Sequence, residues 1–149
     1  MTVVVDANLL ASQALPLSYG DLAIQRMALW QTSEELVLAP VLVVYELTTI
    51  MRKAIAAGWL NDLEAADRLK AVLRAGPGLI APDNDLNREA LAWAKRIGQN
   101  KPYDAHYLAL AERENATLWT ADRRLANGAR QAGLAQVHWI GDWTPDNSQ

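Results

Sequence analysis

Hydrophobic and polar positions along this chain follow two periods. Short, nearly uninterrupted apolar runs recur at Val3-Val4-Val5, Leu36-Val37-Leu38-Ala39, Leu79-Ile80-Ala81, Thr117-Leu118-Trp119-Thr120 and Val137-His138-Trp139-Ile140. Runs of this length, rich in β-branched and aromatic residues, mark strands buried on both faces. Between them the apolar residues fall three and four apart, the spacing of one helical side. The pattern predicts a helix over Asp21 to Thr32, with Leu22, Ile24, Met27, Ala28 and Leu29 on its apolar side, and a longer one from Val41 to a C-cap at Gly58. Asn61-Asp62-Leu63-Glu64 reads as a capping box opening a helix with Leu63, Ala66, Leu69, Val72 and Leu73 inward. Asp83-Asn84-Asp85 caps another, with Leu86, Ala90, Trp93, Ala94 and Ile97 inward. Two more are expected, over Tyr103 to Asn115 and from Asp122 to near Gly133. Ala11 to Gly20 reads as a link of small and polar residues, and about 142–149 as a polar, frayed tail.

Strands that alternate with helices pair in parallel, because each return needs a crossover. The expectation is an α/β fold: a three-layer α/β/α sandwich around a parallel five-stranded sheet, one domain over residues 1–149. With no internal repeat or linker, that length suffices to bury roughly two thirds of the unfolded surface. The longest apolar run, Val41 to Tyr45, stops at Glu46, far short of the ~18 residues a membrane helix needs. Nothing at the start reads as a leader, so no membrane and a cytoplasmic location are expected. Zero cysteines exclude disulfides, thiolate metal sites and a cysteine nucleophile, and two histidines, His106 and His138, make a histidine metal site improbable. A net charge of −3 argues against a generic basic nucleic-acid binder, although an acidic catalytic site would itself supply much of that charge.

The charges become informative once placed. Asp6 ends the first apolar strand, and ligands of parallel α/β sheets sit in the crevice beyond the strand ends. A carboxylate there wants a cationic partner. Asp122 follows the fourth strand as Asp6 follows the first, so parallel pairing puts both on one sheet edge; Asp122 also suits the N-cap of the next helix, and the two roles can coexist. Asp104 lies in the first turn of its helix, favoured there by the helix dipole. Glu46 lies early in an apolar helix, bordering its buried side, where a charge needs a partner. Four acids in one crevice would raise one another's pKa, a conflict that a hard divalent cation removes. Carboxylate and water oxygens suit Mg²⁺ or Mn²⁺ rather than zinc, one or two ions, acting on a phosphodiester.

Four segments together resemble the PIN domain, in particular the VapC-type toxin ribonucleases. They are Val4-Val5-Asp6-Ala7-Asn8, Val43-Val44-Tyr45-Glu46-Leu47, Tyr103-Asp104-Ala105-His106-Tyr107-Leu108-Ala109-Leu110-Ala111 and Leu118-Trp119-Thr120-Ala121-Asp122-Arg123-Arg124-Leu125. The resemblance spans residue 3 to about 140. It implies a Mg²⁺- or Mn²⁺-dependent endoribonuclease with Asp6, Glu46, Asp104 and Asp122 as its acidic cluster, supported by Asn8 and Thr120. It also implies a small antitoxin partner covering the groove, and a homodimer.

Arg52, Lys53, Lys101, Arg123 and Arg124 are the basic residues that can meet RNA phosphates, Arg123 and Arg124 foremost because they follow Asp122 directly. Such contacts position a substrate without reading its sequence. His106, Glu112 and His138 read as packed or surface residues. Two other functions remain open: a catalytically silent RNA- or protein-binding module on the same fold, and an aspartyl-phosphate enzyme. The latter needs a second Asp where this chain has Asn8, or a Lys ending a later strand, which it lacks. The six tryptophans, with no phenylalanine, are expected to fill the core.

Overall fold

The five apolar runs form one sheet, all of it parallel. The computed structural model describes residues 1–98 and 102–146. Its strands are β1 (Thr2–Val5), β2 (Leu36–Pro40), β3 (Gly78–Ile80), β4 (Thr117–Thr120) and β5 (Val137–Trp139), in the order β3-β2-β1-β4-β5. The helices among the described residues are α1 (Ala7–Ala11), α2 (Gly20–Thr32), α3 (Leu42–Ala56), α4 (Asp62–Ala75), α5 (Asn84–Arg96), α6 (Tyr103–Arg113) and α7 (Arg123–Gln131), and a 3-10 turn follows at Ile140–Asp142. This is the α/β architecture the alternation predicts. None of these helices is long and apolar enough to cross a membrane.

The two central strands are apolar because both their faces are covered. Val3, Val4, Val5, Leu118 and Trp119 are all buried. Helix α6 lies across β1, β2 and β4 and carries α5 on its back, while α1 packs between α3 and the sheet. The stretch Ala105 to Ala111 is buried apart from His106, so the position of Asp104 at the start of that helix is firmly held. Four tryptophans do fill the core: Trp30, Trp93, Trp119 and Trp143 are buried, with Trp30 edge-on to Trp119 at 5.5 Å. Trp139 is partly buried and Trp59 is exposed.

Several expectations need correction. Ahead of the expected link, Ala7–Ala11 is a short helix that the sequence pattern did not predict and that takes in the link's first residue, because the Asp6 side chain caps it by accepting from Leu9 N–H at 2.9 Å. On α2 the inward stripe is Ala23, Met27 and Trp30, with Ile24, Ala28 and Leu29 facing solvent. On α4 it is Ala65, Leu69 and Val72, with Leu63 and Ala66 outside. In both helices the true stripe keeps the i, i+4, i+7 spacing, one step round from the larger residues read as inward. The capping box at Asn61 is present, Glu64 N–H donating to Asn61 Oδ1 at 2.8 Å. Lys101 and the end of the tail, 147–149, lie outside the described residues.

Candidate active site at the carboxyl edge of the sheet

The chain builds β1, β2 and β3 outward in one direction and then returns to place β4 and β5 on the other side of β1. The reversal leaves a crevice beyond the carboxyl ends of β1 and β4, the usual ligand position in open parallel sheets. Asp6 ends β1 there, 6% exposed.

Parallel register decides what stands beside it. Val5 pairs with Trp119, so Asp6 lies level with Thr120, and Asp122 is two residues further on. The Thr120 hydroxyl donates to Asp6 Oδ2, and Ala121 N–H donates to the same oxygen at 3.1 Å. With Leu9 N–H on Oδ1, three donors converge on one buried carboxylate. Thr120 Oγ1 accepts in turn from Asp122 N–H at 2.9 Å, which fixes the hydroxyl toward Asp6. Burial nonetheless outweighs these donors: the Asp6 carboxyl is pushed up from 3.8 to about 6, with the Glu46 charge adding to the rise.

Glu46, in the second turn of α3, is half-buried. Its Oε1 accepts a hydrogen bond from the Tyr107 hydroxyl at 2.5 Å. Its pKa is raised, first by burial and then by the negative charge of Asp104, against the opposing effect of the Tyr107 bond. The Tyr107 phenol is raised far above its ordinary value by burial and by the three carboxylates Glu46, Asp6 and Asp104. It is therefore a fixed donor. Tyr107 was not singled out in the sequence, although a signal was available: it stands three residues after Asp104 on the same side of α6, and a half-buried Glu46 requires a donor.

Asp6, Glu46 and Asp104 thus form one electrostatically coupled group around Tyr107. Asp122 stands at its margin. It is exposed and caps α7, its Oδ1 accepting from Arg124 N–H at 2.9 Å and Leu125 N–H at 3.3 Å. It shares with Asp104 and Arg124 a cleft of about 290 Å³, floored by Leu125 and Ala129. The cap role expected of Asp122 is present. Of the supporting residues, Thr120 touches Asp6, whereas Asn8 is exposed on α1 and its carbonyl accepts from Ser12 Oγ at 3.0 Å. Arg123 lies 5.0 Å from the Trp139 ring centre, while Arg52 and Lys53 lie on the exposed side of α3. Glu112 is exposed, His106 is partly buried and His138 stacks on Trp119 at 4.7 Å. Burial lowers the pKa of both histidines.

Among the described residues, no three acidic or histidine side chains converge tightly enough to form a ready metal cage. The donor chemistry still suits a hard cation. Every candidate ligand is a carboxylate, a carboxylate offers about four lone-pair positions, and Asp6 uses three. The raised pKa values of Asp6 and Glu46 come first from burial of their carboxylates, which their donors only partly offset, and then from neighbouring negative charge.

Residues 3–131 match the PIN domain, and the chain belongs to the PIN domain family. No curated protein sequence matches it significantly. Solved structures do, at a TM-score of 0.64 in each of three cases. The PAE2754 protein of Pyrobaculum aerophilum is 26% identical, the match covering 86% of this chain and 79% of that one. A toxin-antitoxin complex from Klebsiella pneumoniae is 18% identical, covering 93% and 97%. VapC20 of Mycobacterium tuberculosis, described as a sarcin-ricin loop cleaving toxin, is 18% identical, covering 91% and 98%. Identities of 18% speak for the shared fold alone.

Proposed function

We propose that this PIN domain is a metal-dependent endoribonuclease, and the toxin of a toxin–antitoxin pair. The observation that carries the reading is the coupled group of Asp6, Glu46 and Asp104 at the switch point of the sheet, with Asp6 kept in place by three donors although its charge is buried. A fold that accepts this electrostatic strain has a use for the charge. Asp6, Glu46, Asp104 and Asp122 would hold Mg²⁺ or Mn²⁺. When bound, such an ion supplies an activated water and neutralises charge developing on a phosphodiester.

The remaining work falls to the chain's own residues. Thr120 and Ala121 hold Asp6 in one orientation, and Tyr107 does the same for Glu46. Arg124, beside Asp104 and Asp122, meets the RNA backbone in the cleft they share. An antitoxin fits a second feature. Between α1 and α3 a groove of about 310 Å³ runs from Asn8 past Leu17, Ile50 and Ala54 to the exposed Trp59. An apolar anchor of the partner seated there would lie next to the helix that follows Asp6. The family's usual homodimer belongs to the same reading, and sedimentation of the purified chain tests it.

Purified protein with Mn²⁺ should cleave single-stranded RNA, and Asp6→Asn should abolish cleavage without unfolding the chain. Equal activity in the variant overturns the assignment. That no compact metal cage forms among the described residues favours a second reading, the silent binding module. Calorimetric titration decides between them: Mn²⁺ binding that is lost in Glu46→Gln supports the nuclease, and no binding supports the module.

A further inference from the structure

Beside the acids, on the β5 side, stands a tier of three side chains that the acidic group itself does not use. Tyr19 packs edge-on against Trp139, ring centres 5.1 Å apart at 77°, and the Arg123 guanidinium lies 5.0 Å from the Trp139 ring centre. Tyr19 is 45% exposed, Arg123 is exposed and Trp139 is partly buried, so the tier faces solvent.

Its place is set by the same peptide that serves Asp6. Trp139 pairs with Thr120 in the sheet, and its Nε1–H donates to the Ala121 carbonyl at 3.4 Å. The N–H of that residue donates to Asp6. Gly141 clears room for the ring, since a Cβ there would overlap it. The indole is therefore fixed one residue away from the buried acid.

Three local rules are broken to build this tier. Tyr19 has φ 61°, a left-handed conformation that a bulky side chain rarely adopts. It also occupies the N-cap of α2 without capping it, a position where Ser, Thr, Asp or Asn would serve the helix better. At α7, Arg123 and Arg124 place two cations in the first turn, which the helix dipole opposes, with the Asp122 carboxylate at the N-cap as their one acidic neighbour at that helix start. Sites where the local sequence contradicts the local structure are where functional or strained positions are expected.

We propose that Tyr19, Trp139 and Arg123 form a base-stacking station for single-stranded RNA, holding an unpaired nucleotide next to the one whose phosphate lies over Asp6. Unstacked bases rest on ring and guanidinium faces, which the half-exposed Tyr19 ring and the Arg123 guanidinium supply here with Trp139 seating both, and the N–H groups of the same guanidinium reach the adjoining phosphate. The station binds unpaired strands in preference to duplex, because a paired base has both faces covered. The inference rests on RNA being the substrate, as proposed above, and adds how the strand is gripped.

The test uses the full chain carrying Asp6→Asn, so that binding is read without cleavage, and a fluorescein-labelled 12-nucleotide single-stranded RNA followed by anisotropy. Adding Trp139→Ala should weaken binding about 5- to 150-fold, the value of one stacked base. Trp139→Phe, which keeps the ring but loses the bond to Ala121, should recover most of that loss. Arg123→Gln should weaken binding and lower the slope of log affinity against log salt by about one. Affinity for a 12-base-pair RNA duplex should be unchanged by Trp139→Ala. Unchanged single-strand affinity in Trp139→Ala overturns the station while leaving the nuclease reading intact. So does a Trp139→Phe variant as weak as Trp139→Ala. Tight single-strand binding with this pattern in a chain that never cleaves RNA keeps the station and removes the nuclease. No single-strand binding at all removes both.

Discussion

Neutralising Asp6 should make the metal-free protein more stable, and only above a defined pH. In the fold its carboxyl titrates at about 6 rather than 3.8. A raised acid pKa means the folded state holds the proton more tightly than the unfolded state, so stability falls as pH rises from about 4 to about 6 and is level above. At 1.36 kcal/mol per pH unit, that interval corresponds to about 3 kcal/mol carried against folding at neutral pH. Asp6→Asn removes the charge but brings an amide whose N–H groups face the Ala121 N–H, and this returns about 1 kcal/mol. The expected net gain near pH 7.5 is about 2 kcal/mol, or roughly 4–8 °C in Tm for a chain of this size. Near pH 4 the wild-type carboxyl is itself largely neutral, the gain is gone, and the variant should lie level with wild type or up to about 1 kcal/mol below it. Thermal unfolding followed by circular dichroism in EDTA, at pH 4, 5, 6 and 7.5, reads this directly. A stability difference that does not vary with pH, or a variant weaker than wild type at pH 7.5, refutes the account of Asp6 as a strained buried charge.

Tyr107→Phe should leave the fold intact and lower kcat/KM for RNA by about 10- to 100-fold, as loss of an outer partner of a metal-site ligand commonly does; steady-state cleavage with Mn²⁺ measures it. Asp122 separates its two roles by substitution. Asp122→Asn keeps a good N-cap and hence the melting temperature, whereas Asp122→Ala should lose about 1 kcal/mol, and cleavage assays of the Asn variant then report what the carboxylate itself contributes. Trp59→Ala should weaken co-purification with an antitoxin encoded beside this chain and leave RNA cleavage unchanged, which pull-down and cleavage assays on the same preparation check together.

The strands and acids were legible in the sequence because each reports a local rule. A short apolar run between helices is a parallel strand here in every case, buried in the central β1 and β4 and open at the edges β3 and β5, and a carboxylate at the end of a central one stands out. What was not legible depended on register and on three-dimensional neighbours. Asp6 and Asp122 both follow strands, and strand ends alone cannot distinguish which residue of β4 stands beside Asp6. The register places Thr120 there and sets Asp122 outward as a cap. The inward stripes of α2 and α4 were read correctly at Met27, Leu69 and Val72 and missed elsewhere for a related reason. Ile24 and Leu63 are larger than Ala23 and Ala65, but a helix close to its neighbour buries the small residue and turns the large one outward. Tyr107 was hidden within an apolar run, where one hydroxyl does not alter the hydrophobic pattern.

The three coupled acids are not held alike, and the difference suggests how the site divides its work. Asp6 is bound through both oxygens, by two backbone N–H groups and a hydroxyl that is itself fixed by Asp122 N–H. Backbone donors cannot rotate away, so this carboxylate has one orientation whatever occupies the crevice. Glu46 hangs on a longer side chain from a single phenol and reaches the group from a different helix. It can shift with the contents of the site at the loss of one hydrogen bond. A rigid acid at the strand end and an adjustable one on α3 make a site that is fixed at its base and able to close from one side. Such an arrangement fits the absence, among the described residues, of a compact cage around Asp6, Glu46 and Asp104. If Asp6 and Glu46 were constrained equally, substituting Tyr107 would disturb both; because they are not, its effect should fall on Glu46 and leave the Asp6-dependent stability curve in place.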